Sequence, residues 1–154
     1  MCIRDRFQQV REQQGLCYSI YSYGAGHAET GDFCIYTALN KETEAKALAT
    51  IRRVIDDFLA KGPTTEELER AREQSKANVI MGLESTQSRM SHAGRSLLFS
   101  GEILTPEQIL DAYDRVTRED VVALAQEIFA WERASLSAVG QVRTAEEYRQ
   151  LVLG

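Results

Sequence analysis

A run of alternating residues between Leu16 and Leu39, interrupted by a glycine-rich turn, constrains this chain more than any other feature. In an extended strand, successive side chains point to opposite faces, so residues two apart share a face. Leu16, Tyr18, Ile20 and Ser22 then fall on one face, and Cys17, Ser19, Tyr21 and Tyr23 on the other. Beyond the turn, Phe33, Ile35, Thr37 and Leu39 repeat the period with β-branched and aromatic residues. Both faces carry bulky groups, so helices are expected over at least one of them. The turn Gly24-Ala25-Gly26-His27-Ala28-Glu29-Thr30-Gly31 has the glycines of a phosphate cradle, but a strand follows it. A phosphate loop must open a helix whose N-terminal amides face the anion, and the lysine of a P-loop is missing here. A hairpin connection is the expected reading. His27 and Glu29 lack a third ligand, so a solvated loop histidine is expected rather than a metal site.

Residues 7 to 14 read as the end of a helix, which Gly15 breaks. From Asn40, a candidate cap, the chain turns helical, with Leu48, Ile51, Val54, Ile55, Phe58 and Leu59 as an apolar stripe. Gly62-Pro63 ends that helix, and Thr64 with Glu67 forms a capping box for the next. That second helix is expected to run from about Thr65 to the neighbourhood of Phe99. Gly82 and Gly94 inside it suggest close packing against another backbone, or a bend. Arg89 is expected to pair with a carboxylate on a neighbouring helix, and His92 to be structural or exposed. Thr105-Pro106-Glu107-Gln108 starts a short helix and Thr117 caps another. Ala134 to Val139 reads as a strand rejoining the sheet, and Thr144 with Glu147 opens a final amphipathic tail.

Composition excludes several classes. The chain has 154 residues, enough for one domain with a core, and 44% hydrophobic against 27% charged residues. A net charge of −5 argues against a nucleic-acid binder, which would show a basic patch. No apolar run of about 18 residues exists to span a membrane. Three cysteines without paired spacing make no disulfide framework, and Cys17 and Cys34 read as reduced strand residues. The two histidines, His27 and His92, stand in no shared motif, no G-x-S-x-G elbow occurs, and no cysteine has a histidine near it in sequence. No catalytic centre is legible in these residues.

Two residues bracketing Gly15 stand out. Arg11 is a permanent cation able to hold a carboxylate or carbonyl, and Tyr18 a phenol able to donate toward a developing oxyanion. The plainer readings are a salt bridge of Arg11 with Glu12 or Glu29, and a core tyrosine. With Phe7-Gln8-Gln9-Val10-Arg11-Glu12, Gly15-Leu16, Tyr18-Ser19, Tyr21-Ser22-Tyr23 and Thr30-Gly31, these residues form a recognisable series. It continues in Thr64-Thr65-Glu66-Glu67-Leu68-Glu69-Arg70-Ala71, Leu83-Glu84-Ser85-Thr86 and Ser88-Arg89-Met90. The series resembles the second domain of the insulinase/pitrilysin-type zinc metallopeptidases, the inverzincins that include the mitochondrial processing peptidases.

The resemblance covers nearly all of residues 7 to 142 and implies an α+β fold. A mostly antiparallel sheet would contain residues 16–23, 32–39 and 134–139, with helices packed on one face. Residues 1–6 match nothing in it and are expected to be a non-native start, with 7–142 a C-terminal peptidase domain truncated at its N-terminal side and 143–154 a helical tail. The family's zinc is held by an H-x-x-E-H helix with a downstream Glu, and no H-x-x-E-H motif occurs in this sequence, so this fragment is expected to bind no zinc itself. The resemblance implies that zinc sits in a missing N-terminal half or a partner subunit. Arg11 and Tyr18 would then support substrate and oxyanion from this side, around an unfolded peptide, in a parent that is dimeric. The alternative is a non-catalytic homologue serving as a scaffold or assembly subunit. Compartment and peptide sequence are not legible.

Overall fold

The computed structural model describes residues 15–27 and 29–153. Among them the chain forms two strands and six α-helices, an α+β arrangement. These are β1 (Cys17–Gly26), β2 (Gly31–Leu39), α1 (Glu44–Lys61), α2 (Thr65–Gly82), α3 (Thr86–Ser100), α4 (Pro106–Arg115), α5 (Arg118–Ile128) and α6 (Ala145–Leu153). The chain divides into two compact units, one of residues 1–62 with 122–154 and the other of residues 63–121.

The first unit holds the core. β1 and β2 pair antiparallel, and the buried hydrophobic residues are Leu16, Ile20, Ala47, Ile51, Ile55, Phe58, Ala125 and Tyr148. Four of these, Ala47, Ile51, Ile55 and Phe58, lie along α1, the stripe that its sequence periodicity predicts. Burying each large member contributes about 1.5–3 kcal/mol. Asn40 does not cap α1: Thr43 occupies that position, and the Asn40 carbonyl instead accepts from the Thr43 amide at 3.0 Å. The Thr43 hydroxyl donates to the Leu16 carbonyl at 2.9 Å, so the start of α1 is fastened to the foot of β1.

α6 is tied to α1 by a shared carboxylate. The Tyr148 hydroxyl donates to Glu44 Oε1 at 2.5 Å, and Arg143 Nε donates to Oε2 at 2.7 Å. At the other end, Arg52 donates to the Val152 carbonyl at 2.5 Å and lies over the Trp131 ring, 5.1 Å from its centroid. The Trp131 indole N–H donates to Asp56 at 3.0 Å. Thr144 and Glu147 cap α6 as their spacing predicts. Residues 134–139 form no strand: β1 and β2 pair only with each other among the described residues, and Val139 is fully exposed. Local alternation cannot make a strand without a ladder to join.

In the second unit, both predicted capping boxes are formed, Thr64 with Glu67 and Thr105 with Gln108. Arg72 on α2 donates to the carbonyls of Tyr113 and Val116, satisfying the C-terminal end of α4, and Lys76 bonds Asp114 at 2.9 Å. The expected long helix is broken. α2 ends at Gly82, and Ser85 caps α3 by accepting from the Ser88 amide at 3.1 Å. A serine hydroxyl that bonds backbone outside the helix competes with helix continuation. Among the described residues Arg89 pairs with no carboxylate; its Nε donates to the Leu83 carbonyl at 2.6 Å, a group that the break leaves without a helical partner. Neither Gly82 nor Gly94 is closely packed, since a Cβ at either would meet nothing within 4 Å.

Two measurements check this account. Gly94→Ala should stabilise this 154-residue chain by about 0.5–1 kcal/mol in urea denaturation, because α3 gains a better helix former and loses no contact. The bond to Glu44, aided by burial, raises the Tyr148 pKa above the ordinary phenol value. A raised folded pKa means stability that is complete below about pH 10 and lost as pH rises through the folded value. Tyr148→Phe should therefore flatten the alkaline limb of stability against pH, followed by thermal melts between pH 8 and 12.

Candidate functional site

The hairpin is pinned at its foot. Leu16 is buried against Ala47, with Leu39 and Val54 packed beside them. Gly15 precedes it at φ 59°, a left-handed conformation that side chains other than glycine rarely adopt. Pairing runs from Ser19↔Ala38 through Tyr21↔Tyr36 and Tyr23↔Cys34 to Gly26↔Gly31. At the tip, a Cβ on Gly31 would come within 2.9 Å of the Ala25 carbonyl oxygen, so the strands approach as closely as only glycine permits. The glycine-rich segment is a hairpin turn, as expected, and His27 is an exposed turn residue whose amide bonds the Thr30 carbonyl at 2.8 Å.

Simple alternation puts Tyr18 beside buried Ile20. The structure separates them. The register shifts between Cys17, opposite Leu39, and Ser19, opposite Ala38, which leaves Tyr18 as the extra residue of a β-bulge. A bulge leaves one residue unpaired, bends the strand locally and re-aims a side chain. Tyr18 is 87% exposed, so it is not a core tyrosine, while Ile20 two residues on is 5% exposed. Arg11 lies outside the described residues, and its spacing to Tyr18 is known from sequence alone.

The face of the hairpin opposite Ile20 carries an aromatic group that alternation does foresee. Tyr21 stacks on Tyr36 across the strands, with centroids 4.8 Å apart, and Tyr23 adjoins at 6.1 Å. Each is about half exposed. Opposite Tyr23 sits Cys34, a free thiol, and the hydrogen bond between them raises the Tyr23 pKa. On the Ile20 face, Phe33 meets Phe129 edge-on at 5.0 Å. Helical cover thus reaches one face of the hairpin, and the tyrosines occupy the other.

Chemically, the described residues offer donors and an open strand edge. Among the described residues, no three His, Cys, Asp or Glu side chains stand together to hold a metal ion. His92 is structural, with Nε2 3.3 Å from the Leu104 carbonyl oxygen. The described residues contain no helix long and apolar enough to cross a membrane. Nothing in the local alternation announced the bulge, which shows only in the pairing of β1 with β2.

Comparison with known proteins agrees with this picture. Residues 4–75 match the family model described as the peptidase M16 inactive domain. An uncharacterized zinc protease of Streptomyces coelicolor is 34% identical over 143 residues, covering 93% of this chain and 31% of the relative. The beta subunit of the mitochondrial-processing peptidase of Lentinula edodes is 27% identical over 152 residues, 97% of this chain and 32% of that one. The chain thus spans about a third of the length of these relatives. In fold it is similar to the peptidase M16 inactive domain from Pseudomonas fluorescens, with a TM-score of 0.72 at 23% identity over 81% of this chain and 30% of that one. It is also similar to the periplasmic protease PqqL of Escherichia coli, with a TM-score of 0.66 at 16% identity over 83% of this chain and 15% of that one. The chain belongs to the peptidase M16 family of insulinase-type metallopeptidases, as part of its C-terminal inactive domain.

Proposed function

We propose that this chain is the substrate-clamping part of a zinc metalloendopeptidase, inactive alone and completed by a zinc-bearing upstream half or a partner subunit. The observation that carries the reading is the bulge at Tyr18. A phenol 87% exposed at the foot of a pinned strand supports contact with something outside the chain. A scaffold has no need to spend a ladder position on an exposed donor. Relatives named as zinc proteases support hydrolysis as the chemistry of the parent, with zinc held outside this fragment and supplying Lewis-acid activation of the scissile bond.

In this reading Tyr18 donates a hydrogen bond to the oxygen on which negative charge develops, and Arg11 holds an acceptor of the peptide from the same side. The substrate is an unfolded peptide. The outer edge of β1 has no ladder partner among the described residues, so an extended peptide can add to it as a strand. Residues 7–142 form the clamping domain in this reading, and the parent is a dimer.

Three outcomes test this. Purified, tag-free chain should hold no stoichiometric zinc by metal analysis; one tightly held zinc per chain overturns the division of labour. In the zinc-bearing parent, Tyr18→Phe should lower kcat by about 100- to 1000-fold, the range for losing one oxyanion donor, with KM and melting temperature nearly unchanged. Arg11→Lys should also slow turnover at unaltered zinc content, because a point charge does not replace a planar fork. Full activity in Tyr18→Phe would overturn the oxyanion role of Tyr18, and a parent without peptidase activity would leave the scaffold reading in its place.

A further inference from the structure

The tyrosine face of the hairpin is uncharged over three successive cross-strand pairs. Ser19 stands opposite Ala38, Tyr21 opposite Tyr36 and Tyr23 opposite Cys34, all on one side of the strands. The acidic residue that follows on that face, Asp32, lies one pair further toward the tip, opposite Ala25. Tyr36 packs against Tyr21 from the β2 side with ring planes 25° apart, so the other face of the Tyr21 ring is turned toward the outer edge of β1. Tyr23 continues the row, its centroid 6.1 Å from that of Tyr21 and its plane tilted by 31°. The stack on Tyr36 and the hydrogen bond to Cys34 hold both rings in place before anything binds, which lowers the cost of ordering them on contact.

Resting on the clamping reading, we propose that Tyr21 and Tyr23 select the peptide, and that the preferred substrate is an extended segment with aromatic side chains two residues apart. The outer edge of β1 has no ladder partner among the described residues. A strand added there runs about 4.8 Å from β1 and sets alternate residues directly opposite Tyr21 and Tyr23, on the same face. The residue between them falls on the other face and meets neither ring. Aromatic rings prefer offset or edge-on contact with centroids about 4.5–7 Å apart, which that strand spacing allows. Basic side chains fit less well, because no carboxylate stands in the three pairs to receive their charge. Tyr21 and Tyr23 lie three and five residues beyond Tyr18, so they read side chains set back from the bond to be cut rather than those flanking it. Tyr36, one strand further from the edge, is a positioning residue that backs Tyr21.

Fluorescence anisotropy on the intact parent, with a chelator present to stop cleavage, tests this by affinity alone. The probes are labelled synthetic peptides alike except for a central Phe-x-Phe, Phe-Phe, Ser-x-Ser or Arg-x-Arg. Phe-x-Phe should bind about 5- to 100-fold more tightly than Ser-x-Ser, each ring pair contributing about 2- to 10-fold. It should also bind about 2- to 10-fold more tightly than Phe-Phe, which can set only one ring on the tyrosine face. Tyr21→Ser combined with Tyr23→Ser should bring these affinities together. If that variant fails to fold, the comparison of Phe-x-Phe with Phe-Phe on the wild type still decides. Equal affinities for all four peptides would overturn the selection by Tyr21 and Tyr23 and leave the clamp standing. Tighter binding of Arg-x-Arg than of Phe-x-Phe would overturn it likewise. Binding of none of the peptides would remove the clamp and the selection together.

Discussion

The burial of Leu16 against Ala47 is the contact on which the rest of the first unit depends. It fixes where β1 begins, and the Thr43 hydroxyl bonded to the Leu16 carbonyl fixes how α1 leaves the hairpin. Ile20 is drawn inward as well, and the register shift between Cys17 and Ser19 turns Tyr18 out between the two buried anchors. Register, more than alternation, decides what the surface presents.

Legibility followed the range of the interactions. The hairpin, the Thr64, Thr105, Thr117 and Thr144 caps and the α1 stripe all rest on contacts within a few residues, and sequence carries those directly. The break at Leu83–Ser85 was half visible, since Gly82 suggested a bend but a polar helix and a broken one look alike in composition. Nothing near Ala134–Val139 says whether a sheet edge will be available to it. The bulge and the Glu44–Tyr148 bond were invisible for one reason: each depends on residues brought together by the whole fold. The motif series found the family because it records many such long-range outcomes at once.

The two units differ in what holds them. In the first, apolar burial and a carboxylate shared by Tyr148 and Arg143 act together. In the second, hydrogen bonds from Arg72 and the Lys76–Asp114 ion pair join α2 to α4. Exposed ion pairs contribute little, on the order of 0–1 kcal/mol each, so the geometry of the second unit is better specified by its caps than stabilised by its contacts. Its helices are legible as helices and incomplete as a domain.

The Glu44 carboxylate waits for partners that follow it by 99 and 104 residues. On the ribosome, at about 5–20 residues per second, α1 therefore emerges several seconds before α6 can reach it. Throughout that interval a carboxylate meant for a half-buried niche and the end of an apolar stripe both face water. The nascent hairpin and α1 can collapse early around Leu16 and Ala47, but the first unit closes only after the entire second unit has been made. A chaperone that binds amphipathic helices would find α1 during that delay, and a stalled ribosome would leave it there longest.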